Sequence, residues 1–387
     1  MQDFTGKVNN PKFTKSGKIA AKPLVENMTS FGLGHDGSLY IVESPRQKNG
    51  QIVDIRGAKQ FTQQDFKNTT VEERIAMMEN DPKTGKAYFN RHSERIAKIT
   101  DTNGDGIFDK RTEFADGMMR NTADGIAFSA IEHENSIYLT CIPHLWKFTD
   151  TNNDGIADKQ EKLLSGFGPR LSMMGHDMHG ITVGPDGRLY WSVGDRGYNV
   201  TSKEGKKFSA PNRGAIFRCN TDGTNFEVFH FGLRNPQEIA FDKHGNLFTF
   251  DNTGDIGDRA RAVYAVESGD SGWYMEHQGL HQYRSRLDHS EFNGMSPWIE
   301  DQMFKPQQPK QPLWYLPPSV IFKMAPLELL TSLVKVSPAN GKIAFLSQIF
   351  VPVLHAPISF ALSSPKRGHH SKLMWLTQSS VKSLHQM

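Results

Sequence analysis

Two histidines three residues apart, His176 and His179, enclose Asp177 in the stretch GHDMHGITVGPDGRLYWSVGDRG, residues 175–197. A neutral imidazole beside a carboxylate is the usual equipment for moving a proton near neutral pH. An alternating run follows, Gly180-Ile181-Thr182-Val183, then Pro185-Asp186-Gly187, then Arg188 to Val193 and Gly194-Asp195-Arg196-Gly197. Pro presets φ and Gly supplies a positive φ, so the stretch reads as a β-hairpin with polar clusters at its open end. That is where a sheet scaffold presents chemistry. A surface hairpin whose histidines make only local hydrogen bonds fits the stretch equally well.

A second candidate chemistry is metal binding. Two loops share one pattern: Asp101, Asn103, Asp105, Ile107, Asp109 and Asp150, Asn152, Asp154, Ile156, Asp158, beginning 49 residues apart. Calcium takes six to eight oxygens, and side chains at positions 1, 3, 5 and 9 with the carbonyl at 7 converge when Gly at 6 allows a sharp turn. Position 12 is Glu161 in the second loop and Thr112 in the first. Strands rather than helices are expected on either side, which argues against an EF-hand. The competing reading is a pair of Asn/Asp/Gly turns that bind nothing; two copies at one spacing favour a structural calcium ion.

A third cluster is Arg234-Asn235-Pro236-Gln237, just before a strand. Pro keeps Asn235 out of the helical region, and a guanidinium beside amides can clamp a carboxylate or a sugar hydroxyl. The alternative is an arginine that satisfies loop carbonyls. Asp251-Asn252 and Gly254-Asp255 follow the next strand, and Gly272-Trp273-Tyr274 ends a turn in aromatics fit for core packing or ring stacking.

The elements that must hold these residues repeat. A strand, a tight turn and a second strand recur around Gly37, Asn135, Gly187 and Gly245, at steps of 98, 52 and 58 residues. A repeat near fifty residues made of short strands points to a β-propeller, in which each blade buries its faces against its neighbours. A β-sandwich would not produce the even period. The predicted class is therefore all-β, a propeller, with residues 1–22 as a lead-in. Residues 60–80 are rich in Gln, Glu, Met and Lys, and the spacing from Val71 to Met78 predicts a short helical insertion.

Composition narrows the function. The 387 residues carry a net charge of +3, which gives no electrostatic case for nucleic acid. Cys141 and Cys219 form neither a disulfide framework nor a CxxCH haem attachment. No run of eighteen apolar residues is present to span a membrane, and residues 1–22 lack the apolar core of a secretory signal. From Leu329 to Met387 there is no Asp or Glu, and only Gly341 and Gly368 among the glycines. Hairpin turns vanish there. The expectation is an aberrant tail over residues 316–387, out of frame with the rest, which leaves the propeller incomplete at its C-terminal side. The rival reading is a genuine disordered or partner-binding tail, and the apolar content argues against simple disorder.

Taken together, GLRNPQ, HGNL, DNTGD, SGDSGW, GHDMHG and GPDGRLYWSVGDRG resemble the glucose/sorbosone dehydrogenase family. PLVENMTSFGLGHDGSLYIVES, HSERIAKITDTNGDGIFDK, TCIPHLW and GFGPRLSMMGHDMHG are similar to the membrane-bound dehydrogenase-type propellers of planctomycete and verrucomicrobial bacteria. The resemblance covers residues 22–315 and implies a six-bladed propeller over 23–315 that uses pyrroloquinoline quinone and calcium. It implies that His176 is the catalytic base, with His179 competing. It implies that Arg234, Asn235 and Gln237 contact quinone and substrate, with Asn252 as a shorter amide in place of a glutamine. The reaction it implies is oxidation of a sugar or other alcohol by hydride transfer, with electrons passed to a c-type cytochrome, in a periplasmic or extracellular setting. Two departures stand out. Gly175, not Asp, precedes His176, and the cofactor-binding Lys and Arg of the last blades are not recognisable. The other functional class on the table is a calcium-stabilised propeller that binds carbohydrate or a protein partner without catalysis.

Overall fold

Each of the four predicted turns closes a hairpin. Gly37, Gly187 and Gly245 have φ of 86°, 77° and 83°, and Glu134 and Asn135 both sit in the left-handed region at 49° and 57°, the conformation a two-residue hairpin loop requires. The computed structural model describes residues 19–83, 85–119, 121–288, 296–304 and 320–322. The strands in chain order are β1 Met28–Leu33, β2 Leu39–Glu43, β3 Glu94–Thr100, β4 Lys110–Met119, β5 Ala127–His133, β6 Ser136–Cys141, β7 His144–Thr149, β8 Lys159–Ser165, β9 Met178–Val183 and β10 Leu189–Val193. They continue as β11 Tyr198–Thr201, β12 Lys207–Ala210, β13 Gly214–Cys219, β14 Glu227–Leu233, β15 Ile239–Phe241, β16 Leu247–Asp251, β17 Ala260–Ala265, β18 Gly269–Asp270 and β19 Val320–Phe322.

They build four antiparallel meanders: β1-β2-β3-β4, β5-β6-β7-β8, β9-β10-β13-β14 and β15-β16-β17-β19. β18 adds in parallel to the edge of the third, and β11-β12 form a separate hairpin. The first strands of successive sheets pack in a ring, β1 on β5, β5 on β9 and β9 on β15. The protein is thus a β-propeller with four blades among the described residues.

Period-two alternation explains why the blades stack. On β2, Tyr40 and Val42 join Ile137, Leu139, Trp146 and Phe148 of the second blade, while Leu39 and Ile41 face the other way. Equivalent clusters fill the gaps between blades two and three, around Trp191 and Phe217, and between three and four, around Tyr190 and Leu247. The outer face of blade one is covered by Ile19 and Ala20 of the lead-in and by Leu24 and Val25 just after it. Ile19 does more than pack. Its carbonyl accepts the Phe108 amide at 2.9 Å, as the Phe114 carbonyl of β4 accepts the Ala157 amide at 2.9 Å one blade later. Residues 1–18 lie outside the described residues.

The long first step in the repeat has a local cause. It is one blade interrupted between β2 and β3 by the helices α1 Pro45–Lys48, α2 Thr62–Lys67, α3 Val71–Glu79 and α4 Gly85–Phe89. Thr70 and Glu73 form a reciprocal capping box at the start of α3. Two further helices follow the fourth blade's third strand, α5 Met275–Tyr283 and α6 Pro297–Glu300. Ile55, Phe61 and Phe89 of the insertion pack with Leu171, Met173 and Tyr283, so insertion and α5 together cap the blade openings. β19 lies within residues 316–387 and supplies the fourth strand of blade four. The remainder of that expected tail lies outside the described residues. No helix among the described residues is long and apolar enough to cross a membrane, and both cysteines are buried and unpaired.

Candidate active site at the blade openings

The strand β9 enters its sheet through a bulge. Leu189 pairs with Val183 and Tyr190 with Thr182, but Ser192 pairs with His179 and Val193 with Met178. Gly180 and Ile181 together therefore face Trp191, and Gly180 sits at φ 58°, the arrangement of a bulge with left-handed glycine at its first position. The extra residue moves everything before it by one place, so that Asp195 comes opposite His176.

The contact that results is a buried pair. His176 Nδ1 lies 2.7 Å from Asp195 Oδ1, and the two residues are 4% and 1% exposed. Ser172 Oγ donates to Asp195 Oδ1 at 2.7 Å and Trp273 Nε1 donates to Oδ2 at 2.9 Å. Burial alone would raise the Asp195 carboxyl, but its interactions with His176, Arg234 and Ser172 outweigh it and hold Asp195 below the usual carboxylate range. An ionised Asp195 accepts the Nδ1 proton and leaves the lone pair on Nε2. Among the described residues nothing hydrogen-bonds Nε2. Ser172 spends its proton on the same carboxylate, so it is not set up as a nucleophile activated by the imidazole.

His179 is placed differently. It is 1% exposed on β9, its Nε2 is 2.8 Å from the Gly175 carbonyl, and its ring packs 4.1 Å from that of Phe128. Burial pushes it down to about 3, so it is a neutral structural imidazole at ordinary pH. Asp177 turns to Arg196 Nη1 at 2.6 Å.

Arg234 joins His176 through shared partners. The Arg234 carbonyl accepts the Asp195 amide at 2.7 Å; Met173 accepts the His176 amide on its carbonyl at 3.2 Å and meets Arg234 Nη2 with its sulfur at 3.5 Å. The guanidinium also reaches Gln278 Oε1 from Nε at 3.2 Å and Asp255 Oδ2 from Nη2 at 3.1 Å, and lies 5.9 Å from the Trp273 ring centre. Asp251 holds the turn: it accepts the amides of Arg234 and Asn235 at 2.9 and 2.8 Å and pairs with Arg261 at 2.8 Å. Asn235 Oδ1 and Asn252 Oδ1 are buried without a hydrogen-bond partner. Gln237 is half-buried, and its carbonyl lies against Gly180. His176, Arg234, Asn235 and Asn252 thus all belong to segments at the openings of blades three and four. Sequence reasoning missed Asp195 and Gln278, and it singled out Trp273 for packing or stacking but not as a hydrogen-bond donor to Asp195. Counting back from the Pro185-Asp186-Gly187 turn comes within one residue of the Asp195 partnership and fails only for want of the bulge.

The two acidic loops lie elsewhere, each linking the third strand of a blade to its fourth. Asp101 accepts the amides of Gly104 and Gly106, Asn103 that of Asp105, Asp105 that of Ile107, and Asp109 the amide and hydroxyl of Thr102. Asp150, Asn152, Asp154 and Asp158 repeat the frame with Gly155, Asp154, Ile156 and Thr151. These bonds hold Asp101 and Asp158 below the usual carboxylate range. Glu161 stands exposed on β8, opposite Lys147. Among the described residues no group of three or more His, Cys, Asp or Glu side chains is gathered to hold a metal; the loops offer amide and backbone oxygens besides.

Fold and site define a β-propeller with a buried His–Asp pair and an arginine at its blade openings. The chain belongs to the family described as Domain of unknown function (DUF7133), whose model matches residues 9–301. No curated protein sequence matches it. Among solved structures it is distantly similar to an oxidoreductase (glucose dehydrogenase) from Thermus thermophilus, at 16% identity and TM-score 0.43 over 80% of this chain and 74% of that one. It is also similar to the PQQ-bound aldose sugar dehydrogenase of Streptomyces coelicolor, at 13% and 0.39 over 67% and 65%. A third is the holo pyranose dehydrogenase PQQ domain of Coprinopsis cinerea, at 11% and 0.38 over 67% and 56%. The chain spans less than two thirds of the last two.

Proposed function

We propose that the protein oxidises a hydroxyl group of a sugar or other alcohol, with His176 as the base. The observation that carries this reading is the His176–Asp195 pair: a carboxylate kept ionised and tied down on three sides fixes the imidazole in the tautomer that accepts a proton on Nε2. Proton removal from a hydroxyl creates an imidazolium, and Asp195 stabilises that charge where it forms. The pair is 4% and 1% exposed, and Met173, whose carbonyl accepts the His176 amide, packs under the insertion and Tyr283 of α5; burial strengthens those electrostatics.

The residues present fit an acidic planar quinone such as pyrroloquinoline quinone. Two buried amide oxygens, on Asn235 and Asn252, lack partners, and amides can turn either end to a ligand. Arg234 offers a guanidinium whose counter-ion, Asp255, has a side chain 58% exposed and can give way. Arg234, Asn235 and Asn252 would hold the quinone, which when bound supplies the two-electron acceptor; a c-type cytochrome in a periplasmic or extracellular setting would then take the electrons. Calcium belongs to the same proposal, at the loops beginning at Asp101 and Asp150, supported by their repeated frame at the same place in two blades.

The test is a titration of the protein with pyrroloquinoline quinone and Ca²⁺, followed by absorbance and thermal melting, then dye reduction with a panel of aldoses and alcohols. Saturable quinone binding weakened by Asn235→Ala, a Ca²⁺-dependent rise in melting temperature lost in Asp101→Asn/Asp150→Asn, and turnover are expected. A folded protein that Ca²⁺ stabilises but that binds no quinone would instead be a non-catalytic binding propeller, and one that binds neither would contradict both readings.

A further inference from the structure

The donor that Asp195 receives on Oδ2 comes from 78 residues along the chain, and a return of the chain between blades places it. After β17 the chain leaves blade four and runs beside β14 of blade three, pairing Gly269 with His230 and Asp270 with Phe231 in parallel. The Ser268, Ser271 and Trp273 amides donate to the Phe229, Phe231 and Gly232 carbonyls at 2.7, 2.9 and 2.9 Å. Gly272 turns at φ 84°, with its amide on Asp270 Oδ1 at 2.8 Å. These bonds fix the backbone of Trp273 beside blade three. Its side chain is 1% exposed and boxed in. Trp298 meets the ring edge-on at 5.2 Å, and a Cβ on Gly254 would stand 2.6 Å from Trp273 Cη2. A ring so closely packed holds one orientation.

That orientation serves two charges at once. Trp273 Nε1 donates to Asp195 Oδ2 at 2.9 Å, and among the described residues it is the one donor to that oxygen. The ring centre lies 5.9 Å from the Arg234 guanidinium carbon, within range of a cation–π contact. Asp195 and Arg234 are close. The Arg234 carbonyl accepts the Asp195 amide at 2.7 Å, and the charge of Arg234 helps to lower the Asp195 carboxyl. Among the described residues, though, no ion pair joins them. The guanidinium turns to Gln278 and Asp255, and Asp195 turns to His176. A buried carboxylate this near an arginine would ordinarily take up the paired donors it offers, and that would draw Asp195 off the imidazole.

We propose that Trp273 is a positioning residue: its indole N–H reserves the Asp195 carboxylate for His176 against Arg234, and so keeps the base and the cation of the site apart. Ser172 cannot do this alone, because it donates to Oδ1, the oxygen already on His176. Phenylalanine in the same box keeps the packing and loses the N–H. Oδ2 is then buried without a donor, which is costly, and the carboxylate turns toward the guanidinium. Trp298 is an internal control, since its Nε1 donates to a different carboxylate, Asp258 Oδ2, at 2.9 Å. The proposal rests on reading His176 as the base of an alcohol oxidation and adds what keeps that base in register.

The test combines NMR of the ¹⁵N-labelled full chain with dye-linked turnover. Asp195→Asn should move the Trp273 indole proton upfield and leave that of Trp298 in place. Trp273→Phe should shift the His176 Nδ1 proton, identified by its loss in His176→Gln. At saturating quinone, Trp273→Phe should lower kcat roughly ten-fold with substrate KM unchanged, the size of one hydrogen bond to a charged group. In an Asp195→Asn background the same change should cost less than about two-fold, because the group it acts through is gone. A further loss of roughly ten-fold in the double variant, or a His176 Nδ1 proton unmoved in Trp273→Phe, would overturn the proposal. So would an indole proton insensitive to Asp195→Asn, a measurement that stands even where Trp273→Phe does not fold. If the wild-type protein turns over no alcohol, the base assignment fails, while the NMR measurements still decide whether Trp273 holds Asp195 on His176.

Discussion

At the scale of single residues, the site is a set of charges held by specific neighbours. His176 and Arg234 stand out in the sequence because histidine and Arg-Asn-Pro are rare and carry obvious chemistry. Asp195 does not stand out, because Gly-Asp-Arg-Gly reads as one more turn until its register is known. The absence of an Asp directly before His176 is explained by Asp195, which reaches Nδ1 from the next strand. Arg234 is shielded by a carboxylate that faces solvent. Asp255 sits at φ 56° in a short loop, and its side chain is 58% exposed. An ion pair this exposed contributes no more than about 1 kcal/mol. Asp255→Asn is therefore expected to tighten the binding of an acidic ligand by up to roughly five-fold, measurable by quinone titration. Weaker binding would mean that Asp255 orients Arg234 rather than competing for it.

At the scale of elements, hairpins were legible and bulges were not. Turn residues advertise a positive φ, whereas a bulge needs knowledge of the partner strand. Bulges recur where β1, β5 and β9 begin, near Thr29, Phe128 and Gly180, and so sit at the ring of first strands beneath the site. Gly180 is needed twice over. Its φ is 58°, and a Cβ would stand 2.9 Å from the Ile239 amide nitrogen and 3.0 Å from Glu238 Cα in the next blade. Gly180→Ala is expected to cost about 2 kcal/mol or more and to shift the urea midpoint accordingly. An unchanged midpoint would mean that the strand accommodates the methyl group without the bulge. The insertion was legible from its helical spacing, but its role was not: contacts such as the Asp54 carboxylate on the Met174 amide at 3.1 Å and the Ser172 carbonyl on the Ile55 amide at 3.1 Å join residues far apart in the chain.

At the scale of the whole molecule, stability depends on apolar faces between blades and on histidines buried with them. The fifty-residue period exposed the blade repeat. The step of 98 residues resembled a doubled repeat only because helices interrupt blade one. The lead-in was unremarkable as sequence, yet Ile19 takes the place that Phe114 takes for the next blade. His230 shows how burial couples the fold to pH. It is 0% exposed, its Nδ1 is 3.1 Å from the Val266 carbonyl, its Nε2 is 2.9 Å from Ser271 Oγ, and burial pushes it down to about 4. Because the folded value lies below the unfolded one near 6.5, this contribution is complete above about pH 6.5 and is lost as pH falls through about 4. Linkage puts the loss at about 2 kcal/mol by pH 5. In His230→Gln the loss of stability between about pH 6.5 and 5, read from urea unfolding, should be smaller by that amount. Parallel curves for the two proteins would show that His230 is not what acid attacks.

The most direct measurement is the dye-linked turnover of Asp195→Asn beside the wild type, under saturating quinone and across pH. An amide at 195 no longer fixes the His176 tautomer or stabilises its protonated form. With quinone binding unchanged, kcat is expected to fall by roughly 10²–10⁴-fold. Wild-type turnover by Asp195→Asn, with the same pH profile, would contradict His176 as the base held by Asp195.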